Sequence, residues 1–206
     1  YLSEGNPSDA ITTLEEATKL NPRNAEAWEK LALAYYAKSA SDKATEAFQK
    51  AVRLDPTKAE IRNNYGLMLL DMGQVEPAIE QFNVALADLS YRNTALVLNN
   101  LGQAYYQNKE YESSISVLTQ AVQRAPNLCQ ARFNRAFSYQ ALDRDDQALQ
   151  DFNEVIELCG DVAIGAYYHA AELMFELQDT TGACNNLRTV VRETGRSTLG
   201  RRAEAL

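Results

Sequence analysis

The chain has 206 residues, of which 46% are hydrophobic, and its formal net charge is −8. It contains no run of about 18 apolar residues, so the sequence predicts no membrane-spanning helix. The acidic balance argues against nucleic acid as the main partner, because duplexes and single strands both require a basic surface. Helix-forming residues abound, while proline and glycine are few and regularly spaced, which favours an all-α fold.

Residues 1–24 predict the end of one helix followed by a complete second helix. We expect further residues upstream in the native protein, where a signal peptide or a lipid attachment site would lie. The positions that share the register of the repeats further along the chain are Tyr1, Gly5, Ala10, Leu14, Ala17 and Pro22.

The stretch AEAWEKLALAYYAKSASDKATEAFQKAVRLDP, residues 25–56, predicts a pair of helices. Its spacing resembles the tetratricopeptide repeat, whose signature is W-x2-L-G-x2-Y followed by A-x3-F and a proline. The residues that carry this resemblance are Trp28, Leu31, Ala32, Tyr35, Ala44, Phe48, Ala51 and Pro56.

The same pattern recurs along the rest of the chain, with more divergence in the last copy. It predicts an all-α fold, a right-handed superhelix of antiparallel helix pairs in one elongated domain, because a single repeat cannot bury its apolar face alone. Small residues at Gly66, Gly102 and Ala136 let the paired helices approach. The predicted repeats cover residues 25–58, 59–94, 95–128, 129–163 and 164–195, and a capping helix starts within 196–206.

The sequence offers little that could perform catalysis. His169 is the only histidine, and we expect a structural or surface role for it, since no catalytic triad accompanies it. No glycine-rich phosphate loop occurs, and the cysteines lack the spacing of a zinc site. We therefore predict that the chain is not an enzyme and binds neither a cofactor nor a metal ion.

The three cysteines leave two alternatives. Cys129 begins the first helix of its repeat and Cys159 ends the second, and antiparallel helices bring such ends together. A disulfide can form if the two α-carbons lie within about 7 Å. Buried free cysteine is common, however, and we favour three free thiols. Cys184 is expected to remain free in either case.

A run of arginines lies near the carboxyl terminus and also has two interpretations. It can be a solvated face that compensates the charge at helix ends, or a patch that faces acidic lipid or a partner. We favour the solvated face, because other arginines are scattered along the chain. The residues concerned are Arg188, Arg192, Arg196, Arg201 and Arg202.

Asparagines stand at mid-helix positions, where their competition for backbone groups makes them mediocre helix formers. Asn64, Asn100 and Asn134 hold the same position in three consecutive repeats, and Asn63 and Asn99 precede two of them. If first helices line the concave face, as in tetratricopeptide repeats, stacked repeats present a row of carboxamides that can pair with an extended peptide backbone. The alternative is that each asparagine bonds only to the backbone of the neighbouring repeat.

Apolar side chains fall between these asparagines and predict a partner site wherever they remain exposed. The carboxylate clamp of the cytosolic chaperone-binding repeats is absent, because Glu29 and Leu33 stand where lysine and asparagine are expected. The groove-facing apolar positions are Leu33, Tyr36, Leu67, Leu70, Leu96, Tyr106, Phe133 and Phe137.

One departure from the repeat period carries a second resemblance. The stretch ALADLSYRNTALVLNNLG has two extra residues and no proline, and NNYG precedes it. This combination is similar to the type IV pilus pilotins, the PilF, PilW and Tgl type of outer-membrane lipoprotein. The residues that carry the likeness are Asn63, Asn64, Tyr65, Gly66, Tyr91, Asn100, Leu101 and Gly102.

The pilotin resemblance implies a periplasmic protein that is lipidated upstream, lies at the outer membrane, and binds secretin subunits to help their ring assemble. The competing expectation is a general adaptor in the cytosol that binds peptide segments of partner proteins. A signal peptide with a lipidated cysteine upstream would separate the two.

Overall fold

The computed structural model describes residues 7–88, 90–195 and 197–205. These ranges contain twelve α-helices, one short 3₁₀ helix and no strand, so the predicted all-α fold is confirmed. The chain divides into two compact units, Tyr1–Asn93 and Thr94–Leu206.

The described part of the first unit forms five α-helices. Helix α1 spans Pro7–Leu20, α2 spans Ala25–Ala37, α3 spans Ser41–Leu54, α4 spans Ala59–Asp71 and α5 spans Val75–Leu86. The short connections within the pairs α2–α3 and α4–α5 make the paired helices antiparallel.

The described residues of the second unit form seven α-helices, and the last packs against the one before it. Helix α6 spans Thr94–Gln107, α7 spans Tyr111–Arg124, α8 spans Cys129–Gln140, α9 spans Asp145–Cys159, α10 spans Ile164–Glu176, α11 spans Thr180–Thr194 and α12 spans Thr198–Ala205. The 3₁₀ helix Gly160–Ala163 joins α9 to α10.

Every helix pair turns through one residue with positive φ. In the first such turn Ser39 has φ 58°, Ser39 N donates to Tyr36 O, and Ala40 N donates to Tyr35 O. This is the Schellman arrangement, which satisfies the last carbonyls of the helix. The equivalent residues in the other four turns are Gly73, Lys109, Asp143 and Gln178.

Close packing within a pair depends on the small residues of the first helix. A Cβ added to Gly66 would lie 2.7 Å from the ring of Phe82, and one added to Gly102 would lie 2.4 Å from Leu118 Cγ. Phe82 and Leu118 are fully buried. The predicted role of both glycines in helix approach therefore has a direct structural basis.

The first helices α2, α4 and α8 share a contact that the repeat signature did not predict. Trp28 Nε1 donates to the carbonyl of Pro22 at 3.0 Å, and Arg62 Nε donates to the carbonyl of Pro56 at 2.8 Å. Arg132 donates to the carbonyl of Pro126 in the same way. Each bond links a first helix to the proline six residues earlier.

The favoured expectation of three free thiols was wrong. Cys129 and Cys159 form a disulfide, with their α-carbons 6.6 Å apart. The antiparallel arrangement of α8 and α9 brings the start of one helix to the end of the other, within the distance that a disulfide can span. Cys184 is free and exposed, as expected.

Candidate interaction surface

In the first unit, the asparagine of α4 bonds to a neighbouring repeat. Asn64 Nδ2 donates to Glu29 Oε1 on α2 at 2.7 Å, and the buried Asn63 donates to Asn64 Oδ1 at 3.4 Å. Glu29 is only 5% exposed. Burial raises the pKa of the Glu29 carboxyl above its ordinary 4.5, while the hydrogen bond from Asn64 opposes that shift.

In the second unit, the same arrangement recurs with asparagine in place of glutamate. Asn134 Nδ2 on α8 donates to Asn99 Oδ1 on α6 at 3.0 Å, and Gln130 donates to Asn134 Oδ1 at 2.9 Å. The buried Asn99 donates to Asn100 Oδ1 at 3.4 Å. Glu29 and Asn99 hold the same repeat position, one residue before that of Asn64 and Asn134.

These contacts bear on the two roles considered for the asparagines. Asn64 and Asn134 do bond to the preceding first helix, through its side chains rather than its backbone. Both remain half-buried rather than enclosed. A carboxamide has two donors and two acceptor positions, so a bond to a neighbouring helix leaves capacity for a ligand.

The predicted apolar positions differ in exposure. Leu67 is 38% exposed and Tyr106 is 36% exposed, while Phe133 and Phe137 are half-buried. Leu70 is a correction, because it is 5% exposed and belongs to the core. It stands three residues after Leu67, about 60° away around the helix, and this rotation takes it out of solvent.

Phe133 and Phe137 belong to an aromatic cluster in the second unit. Their ring centroids lie 4.9 Å apart with the rings nearly perpendicular, a favourable edge-to-face geometry. Tyr106 lies 6.4 Å from Phe137, and the ring of His169 lies 4.9 Å from it. A hydrogen bond of 2.9 Å joins His169 Nδ1 to Glu172 Oε2.

The carboxyl-terminal arginines have local partners. Arg192 Nε donates to Glu193 at 2.7 Å, and Arg201 donates to Thr198 at 3.4 Å. Arg188 donates to Asn185, while Arg196 lies outside the described residues. Arg188, Arg192, Arg201 and Arg202 are exposed, as both interpretations of this run expect.

Sequence reasoning missed Glu29 as a site residue, since it registered only as a departure from the chaperone-type clamp. The available signal was its position, one residue before the asparagine row.

Across the part of the chain that the structure describes, no helix combines the length and the apolar character that a membrane span requires.

Tetratricopeptide repeat family models match residues 1–59, 47–80, 95–128, 130–161 and 165–193. The chain belongs to the tetratricopeptide repeat family. Among the curated relatives of this repeat protein is the type IV pilus assembly protein PilF of Pseudomonas aeruginosa, which is 31% identical over 110 residues. The match covers 53% of this chain and 44% of PilF, so the chain spans less than half the length of that relative.

Two solved structures share the fold of this repeat protein. PilW, a widely conserved type IV pilus biogenesis factor, superposes with a TM-score of 0.90 at 21% identity, over 99% of this chain and 93% of PilW. Pseudomonas aeruginosa PilF gives 0.82 at 22% identity, over 100% of this chain and 92% of that one. These matches confirm the expected resemblance to the PilF and PilW type, and at such identities the structures show the fold alone.

Proposed function

We propose that this chain is a non-catalytic scaffold that acts as a type IV pilus pilotin. It binds secretin subunits and promotes their assembly in the outer membrane, at whose periplasmic face it is held by a lipid anchor upstream. The observation that carries the proposal is the set of half-buried carboxamides on first helices, each beside apolar side chains that solvent reaches. The sequence match to PilF supplies the pilus context.

In the first unit, the proposed binding residues are the carboxamides of α4 and the apolar side chain one turn away. Asn64 bonds the backbone of the partner segment, and Leu67 packs against an apolar side chain of that segment. Asn63 is buried and positions Asn64 through their 3.4 Å hydrogen bond.

In the second unit, α6 and α8 supply the corresponding groups. Asn100 and Asn134 bond the partner backbone, while Asn99 holds Asn134 in place from a buried position. Tyr106 and Phe137 offer apolar contact area. Aromatic residues are common anchors of protein interfaces because they bury large areas with few rotatable bonds.

The experiment compares secretin multimers in cells that carry the wild-type chain or a variant with three groove asparagines replaced. The triple variant Asn64→Ala, Asn100→Ala, Asn134→Ala is expected to reduce multimer formation strongly. A matched control replaces asparagines of second helices, Asn83→Ala, Asn153→Ala and Asn185→Ala, and is expected to support normal multimers. Thermal melts of both purified variants establish that they fold.

A second variant keeps the internal hydrogen bonds intact. Leu67→Ser combined with Tyr106→Ser changes only exposed side chains, so it separates loss of binding from loss of fold. Normal multimers in folded forms of both variants contradict the proposed surface. Normal multimers after deletion of the whole protein contradict the pilotin function and favour the alternative of a cytosolic adaptor for peptide segments.

A further inference from the structure

The second unit carries an aromatic ridge, formed by Phe133 and Phe137 one turn apart on α8, with their ring centroids 4.9 Å apart. His169 packs against both rings, at 4.9 Å from Phe137 and 6.0 Å from Phe133. Phe152, fully buried, lies beneath them with centroid distances of 5.7 and 5.6 Å. Phe152 and His169 therefore restrict the movement of both rings of the ridge.

Two cavities follow one another along α8, and each is lined by one ring of the ridge. The first has a volume of about 370 Å³, and its wall includes Gln130, Phe133, Gly165 and the Cys129–Cys159 disulfide. A Cβ at residue 165 would lie 3.2 Å from Phe133 Cζ, so glycine keeps this wall open.

The second cavity has a volume of about 210 Å³ and is lined by Gln103, Tyr106, Gln107, Asn134 and Phe137. Pockets for drug-sized ligands span roughly 300–1,000 Å³. The second cavity is smaller than this range and the first is near its lower end, so each can take one large side chain of a partner. Among the described side chains, neither lining includes a charged residue, although the chain carries a net charge of −8.

We propose that the aromatic ridge and its two cavities bind an extended, uncharged segment of the partner with large apolar side chains at positions i and i+2. This inference rests on the proposed function and names the chemistry of the segment. A charged side chain of the segment finds no counter-charge among the described lining residues, and a buried charge without one is strongly unfavourable.

The spacing follows from backbone geometry. Phe133 and Phe137 are four residues apart on a helix, about 6 Å along its axis. An extended segment repeats side chains on one face every 6.6–6.8 Å or so, which matches that distance. A helical segment can match it with i and i+4, but its backbone groups are already bonded. A helical segment would therefore offer no free backbone groups to the carboxamides of Gln103, Gln130 and Asn134.

The test uses the whole chain and capped synthetic peptides of eight residues, with leucine at positions three and five in a background of serine, threonine and glycine. Binding is followed by NMR shifts of the chain. We expect shifts centred on Gln103, Gln130 and Phe137, and replacement of either leucine by alanine is expected to weaken binding about tenfold. Leucines at adjacent positions, or aspartate in place of one leucine, are expected to abolish it.

The matching protein variants change exposed glutamines, so that folding is preserved. Gln103→Glu and Gln130→Glu place a charge at the rim of each cavity and are expected to weaken peptide binding about tenfold or more. Gln120→Glu, on the exposed face of α7, is the control and is expected to bind like the wild type. Equal binding by all three variants, or tighter binding of a helical peptide with leucines at i and i+4, overturns the proposal.

The two proposals fail in distinguishable ways. If the asparagine variant loses secretin multimers while folded Gln103→Glu and Gln130→Glu chains keep them, the inference about the segment is wrong and the pilotin function stands. If the peptides bind as expected but deletion of the protein leaves secretin multimers unchanged, the pilotin function is wrong and the binding chemistry of the ridge stands.

Discussion

Asn134 Nδ2 donates to Asn99 Oδ1 at 3.0 Å and thereby joins α8 to α6. Asn64 makes the equivalent bond to Glu29, from α4 to α2. The buried Asn99 accepts from the first helix of the following repeat, and the half-buried Asn64 donates to the first helix of the preceding repeat. A cost in helix propensity is offset by a polar bond between repeats.

A double-mutant cycle measures this bond. Asn99→Ala is expected to lower the free energy of unfolding by about 1–3 kcal/mol, because it removes the acceptor and leaves the Asn134 donor unpaired. The double variant Asn99→Ala, Asn134→Ala is expected to cost less than the sum of the single changes, with a coupling of about 1 kcal/mol. Urea unfolding of the four chains provides the values.

The control cycle pairs Asn134→Ala with Asn185→Ala on the exposed face of α11, and its effects are expected to add within about 0.5 kcal/mol. Additive effects for Asn99 and Asn134 would show that the hydrogen bond between them does not contribute to stability.

Much of the fold follows from short-range pattern. Gly66 and Gly102 recur at the position where the opposite helix comes closest, and the repeat spacing alone places them there. The spacing of large and small residues can be recognised in the sequence alone, which explains why the helix pairs could be predicted from it.

The polar contacts of the candidate site could be predicted only in part. The bond between Glu29 and Asn64 joins residues 35 apart, and its formation depends on the rotamers and burial of both side chains. Repeat position predicts that Leu70 faces the groove, but it fixes the face of a helix only approximately, and Leu70 is 5% exposed and lies in the core. The disulfide required an α-carbon distance that spacing does not supply.

The disulfide gives a prediction about thiol content and stability. Unfolded, unreduced protein is expected to titrate one free thiol, Cys184, and three after reduction. Cys129→Ser combined with Cys159→Ser is expected to lower the free energy of unfolding by about 2–4 kcal/mol, since the link restricts the unfolded chain. Cys184→Ser, an exposed change, serves as the control and is expected to shift stability by less than about 0.5 kcal/mol. Three thiols before reduction would exclude the bond.

The close contact between α6 and α7 predicts whether Gly102→Ala stabilises or destabilises the chain. At an unconstrained helical position, alanine stabilises relative to glycine by roughly 1 kcal/mol. At Gly102 the added Cβ would lie 2.4 Å from Leu118 Cγ, so Gly102→Ala is expected to destabilise by about 1–3 kcal/mol. Thermal and urea unfolding measure the change.

A second substitution tests the cause of that destabilisation. Leu118→Ala alone leaves a cavity, and in the double variant the new methyl group of residue 102 occupies part of it. The double variant is therefore expected to be more stable than additivity allows. A Gly102→Ala chain more stable than the wild type would show that the helices are not in such close contact.

The buried carboxyl group of Glu29 gives a prediction about pH. Burial raises its pKa in the folded chain, so the folded state holds the proton more tightly than the unfolded state. The free energy of unfolding contributed by this group is therefore highest below the ordinary pKa of 4.5 and decreases as the pH rises through the raised folded-state pKa. Glu29→Gln keeps an oxygen acceptor for Asn64 and removes the charge. The variant is expected to be more stable than the wild type at pH 7 and to lose that advantage below pH 4.5.

Glu26→Gln, three residues earlier on α2, is a control with the opposite sign. The hydrogen bond from Lys58 lowers the pKa of the exposed Glu26, so its ionised form favours the folded chain above pH 4.5, and that contribution is lost as the pH falls through the lowered pKa. Its substitution is expected to decrease stability at pH 7 and to have little effect in acid. Urea unfolding of the three chains between pH 3 and pH 8 distinguishes these cases. A Glu29→Gln chain less stable than the wild type at pH 7 would mean that the carboxylate charge stabilises the bond to Asn64 by more than its burial costs.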